Sequence, residues 1–177
     1  MKFEVPVISF SGYKHTGKTT LISKLVAEFS SRGVRVGCIK HDGHDFSYQN
    51  SITDTGKFLE SGAAASMIVS QTGHVLSEWI DQAHVELEEW VYRLGDMDLV
   101  IVEGYKELPV PKWILLEEKA GDTSYILPHF ARNPEILGQI QGIIVPALPL
   151  KVADTRLPVY HRDNILGILS AVEAIMG

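Results

Sequence analysis

One short stretch constrains this chain more than any other: Gly12-Tyr13-Lys14-His15-Thr16-Gly17-Lys18-Thr19. It follows an apolar run with β-branched residues, VPVISF at 5–10, and precedes Leu21, Ile22, Leu25, Val26 and Phe29 at helical spacing. The run predicts a buried strand, and the recurrence predicts a helix over 18–32 with Gly33 where a C-terminal cap would stand. A strand, a glycine turn and a helix in that order satisfy G-x-x-x-x-G-K-[ST], the phosphate-binding loop. Each position has a physical reason. Glycines permit backbone angles that turn successive N–H groups inward as a nest for anionic oxygens. Lys18 supplies a point charge toward the β- and γ-phosphates, and the Thr19 hydroxyl can ligate Mg2+. The helix N-terminus adds partial positive charge behind them. The loop predicts a bound nucleoside triphosphate with magnesium.

The rest of the chain alternates strands and helices. Strands are expected at 34–40, at 66–79 as two strands joined at Gln71-Thr72-Gly73, and at 98–105, 111–118 and 138–148. Helices are expected at 58–65, around Ala83 to Leu94, and at the end of the chain, capped by Asp163 with Ile165, Ile168, Leu169, Val172 and Met176 on its apolar face. Several strands are apolar throughout, which predicts a mainly parallel sheet buried on both sides. The expectation is an α/β, three-layer P-loop NTPase fold, its sheet covered by helices on both faces, with a β-hairpin near 66–78. It is expected to form one domain, 1–177, since no linker, repeat or low-complexity tract divides the chain.

Composition removes several function classes. No apolar run approaches the ~18 residues that span a membrane, and Glu4 interrupts the N-terminal run, so a first strand is expected and not a signal peptide. A single cysteine, Cys38, excludes an intrachain disulfide and suits a reducing cytoplasm. The net charge of −6, with no long basic run, argues against general nucleic-acid binding.

A triphosphate site also needs an acid near the metal, and parallel strands end at the edge where the phosphate loop lies. "LVIVEG" offers Glu103 there, whereas Asp98 begins the same strand and is expected at the opposite edge in a structural role. After the second strand, "HDGHDFSYQNSITDTG" is polar and aperiodic, a long loop of the kind that is usually functional or mobile. Two readings stand for it. It forms a switch that orders around the γ-phosphate, with Lys40, Asp42 and Asp45 touching magnesium or the attacking water. Alternatively Cys38, His41 and His44 form a transition-metal site. Within the phosphate loop, Lys14 either neutralises a phosphate or is a solvated lysine; Lys106 and Lys112 bracket "ELPVP" and either present a cationic edge or are simply exposed.

Together, "GYKHTGKTTLISKLV", "RVGCIKHDGHDF", "DTGKFLESGAAASMIVS" and "DLVIVEGYKELPVPK" resemble the MobB family of molybdopterin-guanine dinucleotide biosynthesis adapter proteins, in order from about residue 5 to 115. The resemblance implies a P-loop GTP-binding fold, weak GTPase activity, a homodimer and a cytoplasmic location. It also implies a partner, a MobA-type guanylyltransferase that joins GMP to the molybdenum-bearing pterin, with molybdopterin itself a candidate ligand. Carried over by position, Gly12, Tyr13, Lys14, His15, Thr16, Gly17, Lys18, Thr19 and Thr20 would bind GTP. Thr19 and Glu103 would serve Mg2+; His41, Asp42, His44 and Asp45 would form the switch; and Lys18, Glu103 and Asp45 would take part in hydrolysis. The chain departs from the family where that family tends to read Asp-x-x-Gly-Lys-Asp-Thr: here Gln49-Asn50-Ser51-Ile52-Thr53-Asp54-Thr55 stands. Nor does anything after "GIIVPAL" match the Asn-Lys-x-Asp pattern by which many GTPases select guanine. A small-molecule kinase and a metal-delivery GTPase are the alternative functions on the same scaffold.

Overall fold

The computed structural model describes residues 3–41, 57–59, 61–71, 75–79, 86–116, 133–147 and 156–177, with 75–79 as backbone only. The chain divides into two compact units, Met1–His41 with Glu88–Gly177, and Asp42–Leu87.

The larger unit is a parallel sheet. Its strands are β1 (Val7–Gly12), β2 (Val36–Lys40), β5 (Leu99–Glu103), β6 (Lys112–Leu115), β7 (Ile140–Val145) and β8 (Val159–His161), ordered β2-β5-β1-β6-β7-β8. Every pairing is parallel. Helix α1 (Lys18–Ser31) and the last helix, α4 (Ile165–Met176), pack on one face against Ile8, Phe10, Leu99, Ile101, Trp113 and Leu115. Alternation along the strands sends Val100, Val102, Ile114 and Ile143 to the other face. There Ile114 and Ile143 join Ile136 of α3 (Pro134–Leu137), and Gly37 of β2 closely approaches Leu94, next to helix α2 (Leu87–Arg93). The smaller unit holds the antiparallel pair β3 (Ala65–Val69) and β4 (Val75–Trp79), the expected hairpin.

Some expectations change. The helix expected at 58–65 is helical only at 57–59 among the described residues, because Ala65 already opens β3. The cap of α4 is Asn164, whose side chain accepts from the Gly167 N–H at 3.1 Å; Asp163 is turned to Lys24 instead, at 3.2 Å. The single-turn helix α3 and the three-residue strand β8 are additions.

Candidate nucleotide-binding site

Central strand β1 runs straight into the glycine turn, and α1 starts at Lys18 with Gly17 as its N-terminal cap. Gly12 is required by proximity: a Cβ there would lie 2.5 Å from the Leu115 carbonyl oxygen, in the neighbouring strand β6. His15 and Gly17 take left-handed backbone angles, φ 64 and 84, which fold the loop back on itself. Thr16 is buried, and its hydroxyl donates to the Tyr13 carbonyl at 3.0 Å, so its side chain braces the loop from within. The Lys18 ammonium donates to the carbonyls of Tyr13 and Gly12 at 2.6 and 3.3 Å, lying along the loop it is expected to serve. Tyr13, Lys14, His15, Thr19 and Thr20 are exposed.

Strand β5 lies directly beside β1, with Glu103 in register with Phe10. That adjacency brings residues far apart in sequence together: the Thr19 hydroxyl donates to Glu103 Oε2 at 2.8 Å. The Glu103 carboxylate also faces Lys40 of β2 at 3.8 Å, an ion pair made across the same strand ends. A hydroxyl and a carboxylate at hydrogen-bond distance are two hard oxygen donors, the set that Mg2+ takes when most of its remaining ligands are water and phosphate. The residues present fit that ion.

The turn after Glu103 links three parts of this edge. Gly104 sits at φ 97, and a Cβ on it would meet the His41 carbonyl oxygen at 2.9 Å, so a side chain is excluded twice over. Tyr105, also at positive φ (47), places its ring 4.1 Å from the His41 ring, centroid to centroid. Lys106 sets its ammonium 4.8 Å from the centre of the Tyr13 ring, a cation–π contact onto the phosphate loop. Ser9 and Ser11 of β1 both donate to the Gly104 carbonyl, at 3.0 and 2.8 Å. These contacts were not anticipated from the residues, although two serines at i and i+2 in an otherwise apolar strand were a readable sign of a polar stripe on one face.

Two expected surface features need revising. Lys112 is no cationic edge: it has no exposed surface and donates to the Lys106 carbonyl at 2.8 Å. Burial pushes its ammonium pKa down to about 8, with the nearby Glu107 charge opposing the shift. Asp98 lies at the far end of β5, where it accepts from the Arg35 backbone N–H at 2.7 Å. Of the expected switch, His41 is described and its N–H donates to the Glu103 carbonyl at 3.0 Å. Asp42, His44 and Asp45, and the departure at 49–53, lie outside the described residues. Cys38 is exposed on β2, and no group of three His, Cys, Asp or Glu side chains suited to a metal occurs among the described residues.

Residues 7–133 match the family described as "Molybdopterin guanine dinucleotide synthesis protein B", MobB. The chain belongs to the MobB family. Among curated MobB relatives, the molybdopterin-guanine dinucleotide biosynthesis adapter protein of Escherichia coli is 33% identical over 123 residues, 68% of this chain and 70% of that one. The probable adapter protein of Bacillus subtilis is 26% identical over 181 residues, covering 97% of this chain and 94% of its own. The crystal structure of Bacillus subtilis MobB superposes with a TM-score of 0.73 at 23% identity, over 94% of this chain and 97% of that one, a likeness of fold. No helix among the described residues is long and apolar enough to cross a membrane.

Proposed function

We propose that this chain is a GTP-binding adapter in molybdopterin guanine dinucleotide biosynthesis, a weak GTPase that assists a MobA-type guanylyltransferase in attaching GMP to molybdopterin. Its place would be the cytoplasm and its working form a homodimer. The observation that carries the nucleotide reading is the 2.8 Å bond between Thr19 and Glu103 beside a complete phosphate loop. MobB membership supports the adapter role, since the relatives are named as adapters of this pathway.

Loop amides from Gly12 to Thr20 would receive the phosphate oxygens, and Lys18 would exchange its loop carbonyls for the β- and γ-phosphates. Thr19 and Glu103 would hold Mg2+, which when bound offsets the charge that shifts onto the leaving phosphates. The loop contains no arginine, and Lys18 would be the charge that serves the reacting group. Slow turnover follows, which suits a protein that holds nucleotide while another performs the transfer.

Calorimetry with GTP, ATP and their diphosphates, with and without magnesium, tests the binding. GTP is expected to bind more tightly than ATP, and more tightly with magnesium. A purified MobA-type guanylyltransferase should then associate more strongly with the GTP-loaded chain than with the GDP-loaded one. Absence of association in every nucleotide state would overturn the adapter reading.

A further inference from the structure

Lys112 is among the largest fully buried side chains of the protein, yet it carries an ammonium group. Packing alone would be served at lower cost by a methionine, because desolvating an ammonium is unfavourable before any partner is gained. What the ammonium adds is a donor. Lys112 stands on β6 in register with Ser9 of β1, and its Nζ donates to the Lys106 carbonyl at 2.8 Å. Ser9 and Ser11 donate to the Gly104 carbonyl in the same turn. Three buried donors thus grip alternate carbonyls of residues 104–106 from within the sheet. That turn begins at Glu103, supports the His41 ring through Tyr105, and reaches the phosphate loop through Lys106 and Tyr13.

We propose that Lys112 is a positioning residue of the nucleotide site: by holding the Lys106 carbonyl, it fixes the turn that keeps the Glu103 carboxylate facing Thr19. The inference rests on the nucleotide reading above and adds a residue that would never touch the ligand. Second-layer donors of this kind orient the groups that do touch a metal, and their loss weakens metal binding.

The test measures GTP affinity with and without Mg2+ for the wild type, Lys112→Met, the pair Ser9→Ala/Ser11→Ala, and Ile114→Val as a packing control two residues along the same strand. The ratio of the two affinities is the magnesium increment. Lys112→Met should reduce that ratio by about tenfold, and the serine pair should reduce it less. Ile114→Val should stay within about twofold of wild type, since it removes one buried methyl and no donor. In the nucleotide-free protein, hydrogen exchange at the Leu108 and His41 amides, which donate to the Tyr105 and Glu103 carbonyls, should quicken in Lys112→Met and not in Ile114→Val. A ratio in Lys112→Met equal to that of Ile114→Val overturns the positioning role. Should Lys112→Met fail to fold, an unchanged ratio in the serine pair overturns it. Wild-type protein with no GTP affinity in either condition refutes the nucleotide reading itself, a separate result.

Discussion

Two carboxylates bound strand β5, Asp98 just before its first residue and Glu103 as its last, and the two do opposite things. Asp98, at the N-terminal end, has a side chain 45% exposed and is held by Arg35, through its backbone N–H at 2.7 Å and its guanidinium at 3.5 Å. Glu103, at the C-terminal end, is only 14% exposed and meets a hydroxyl from the first turn of α1 and the ammonium of Lys40. Strand direction makes the difference. All strands of the sheet are parallel, so their C-terminal ends share one edge with the glycine turn, and a side chain there is surrounded by loops. At the other edge an acid can do little except pin a neighbouring chain segment. Position in the sheet separates a site residue from a clamp.

The sharpest way to break this contrast is at the phosphate loop. Lys18→Ala should weaken GTP binding at least about tenfold while leaving the melting temperature nearly unchanged, because a charged hydrogen bond contributes roughly 1.5–3 kcal/mol. The described Lys18 contacts are to its own loop, so little of the fold depends on them. Calorimetry alongside thermal melting decides it; unchanged affinity in a folded variant would remove the nucleotide from this edge.

Next in size comes the comparison of the two acids themselves. Glu103→Gln keeps an oxygen for Thr19 but loses the charge, and should lower GTP hydrolysis by about tenfold or more, with a smaller effect on magnesium-free affinity. Asp98→Asn should leave both within about twofold, as expected of a surface ion pair remote from the chemistry. Equal losses in the two variants, measured by phosphate release, would erase the distinction drawn here.

The smallest effect concerns pH. The Asp98 carboxyl is held below its ordinary value, first by the Arg35 backbone hydrogen bond and then by the guanidinium; Asp96 is lowered by the same side chain, which it meets at 2.8 Å. A carboxyl with a depressed folded-state pKa stabilises above its unfolded value, and that contribution is lost as pH falls through the folded one. Urea midpoints of wild type and Asp98→Asn should therefore differ slightly at neutral pH and converge below about pH 4. A constant gap across that range would mean the clamp acts by shape and not by charge.

The parts of the fold legible in the residues are those written in local pattern. The glycine turn, the helix behind it, the apolar strand ending in Glu103 and the hairpin each announce themselves within a dozen residues. Lys112 did not, because its burial depends on β6 lying beside β1 in a particular register, a fact about pairing and not about its neighbours in sequence. The α4 cap went to Asn164 over the adjacent Asp163 because both are good cap residues, and only a long-range partner, Lys24, decided between them. Three-residue β8 is too short to show a period, and Tyr105 against His41 joins residues from two strand ends.

The sheet order also governs how this protein is made. β1 is made well before both its neighbours, β5 and β6: Ser11 bonds Gly104 across a separation of 93 residues. At the pace of translation, about 5–20 residues per second, that interval lasts roughly 5 to 20 seconds. Throughout it the apolar first strand has neither neighbour and both of its edges are open to unwanted pairing. Thr19 has no carboxylate to face until Glu103 emerges, so the pair that joins the first helix to the fifth strand cannot steady the nascent chain through that interval.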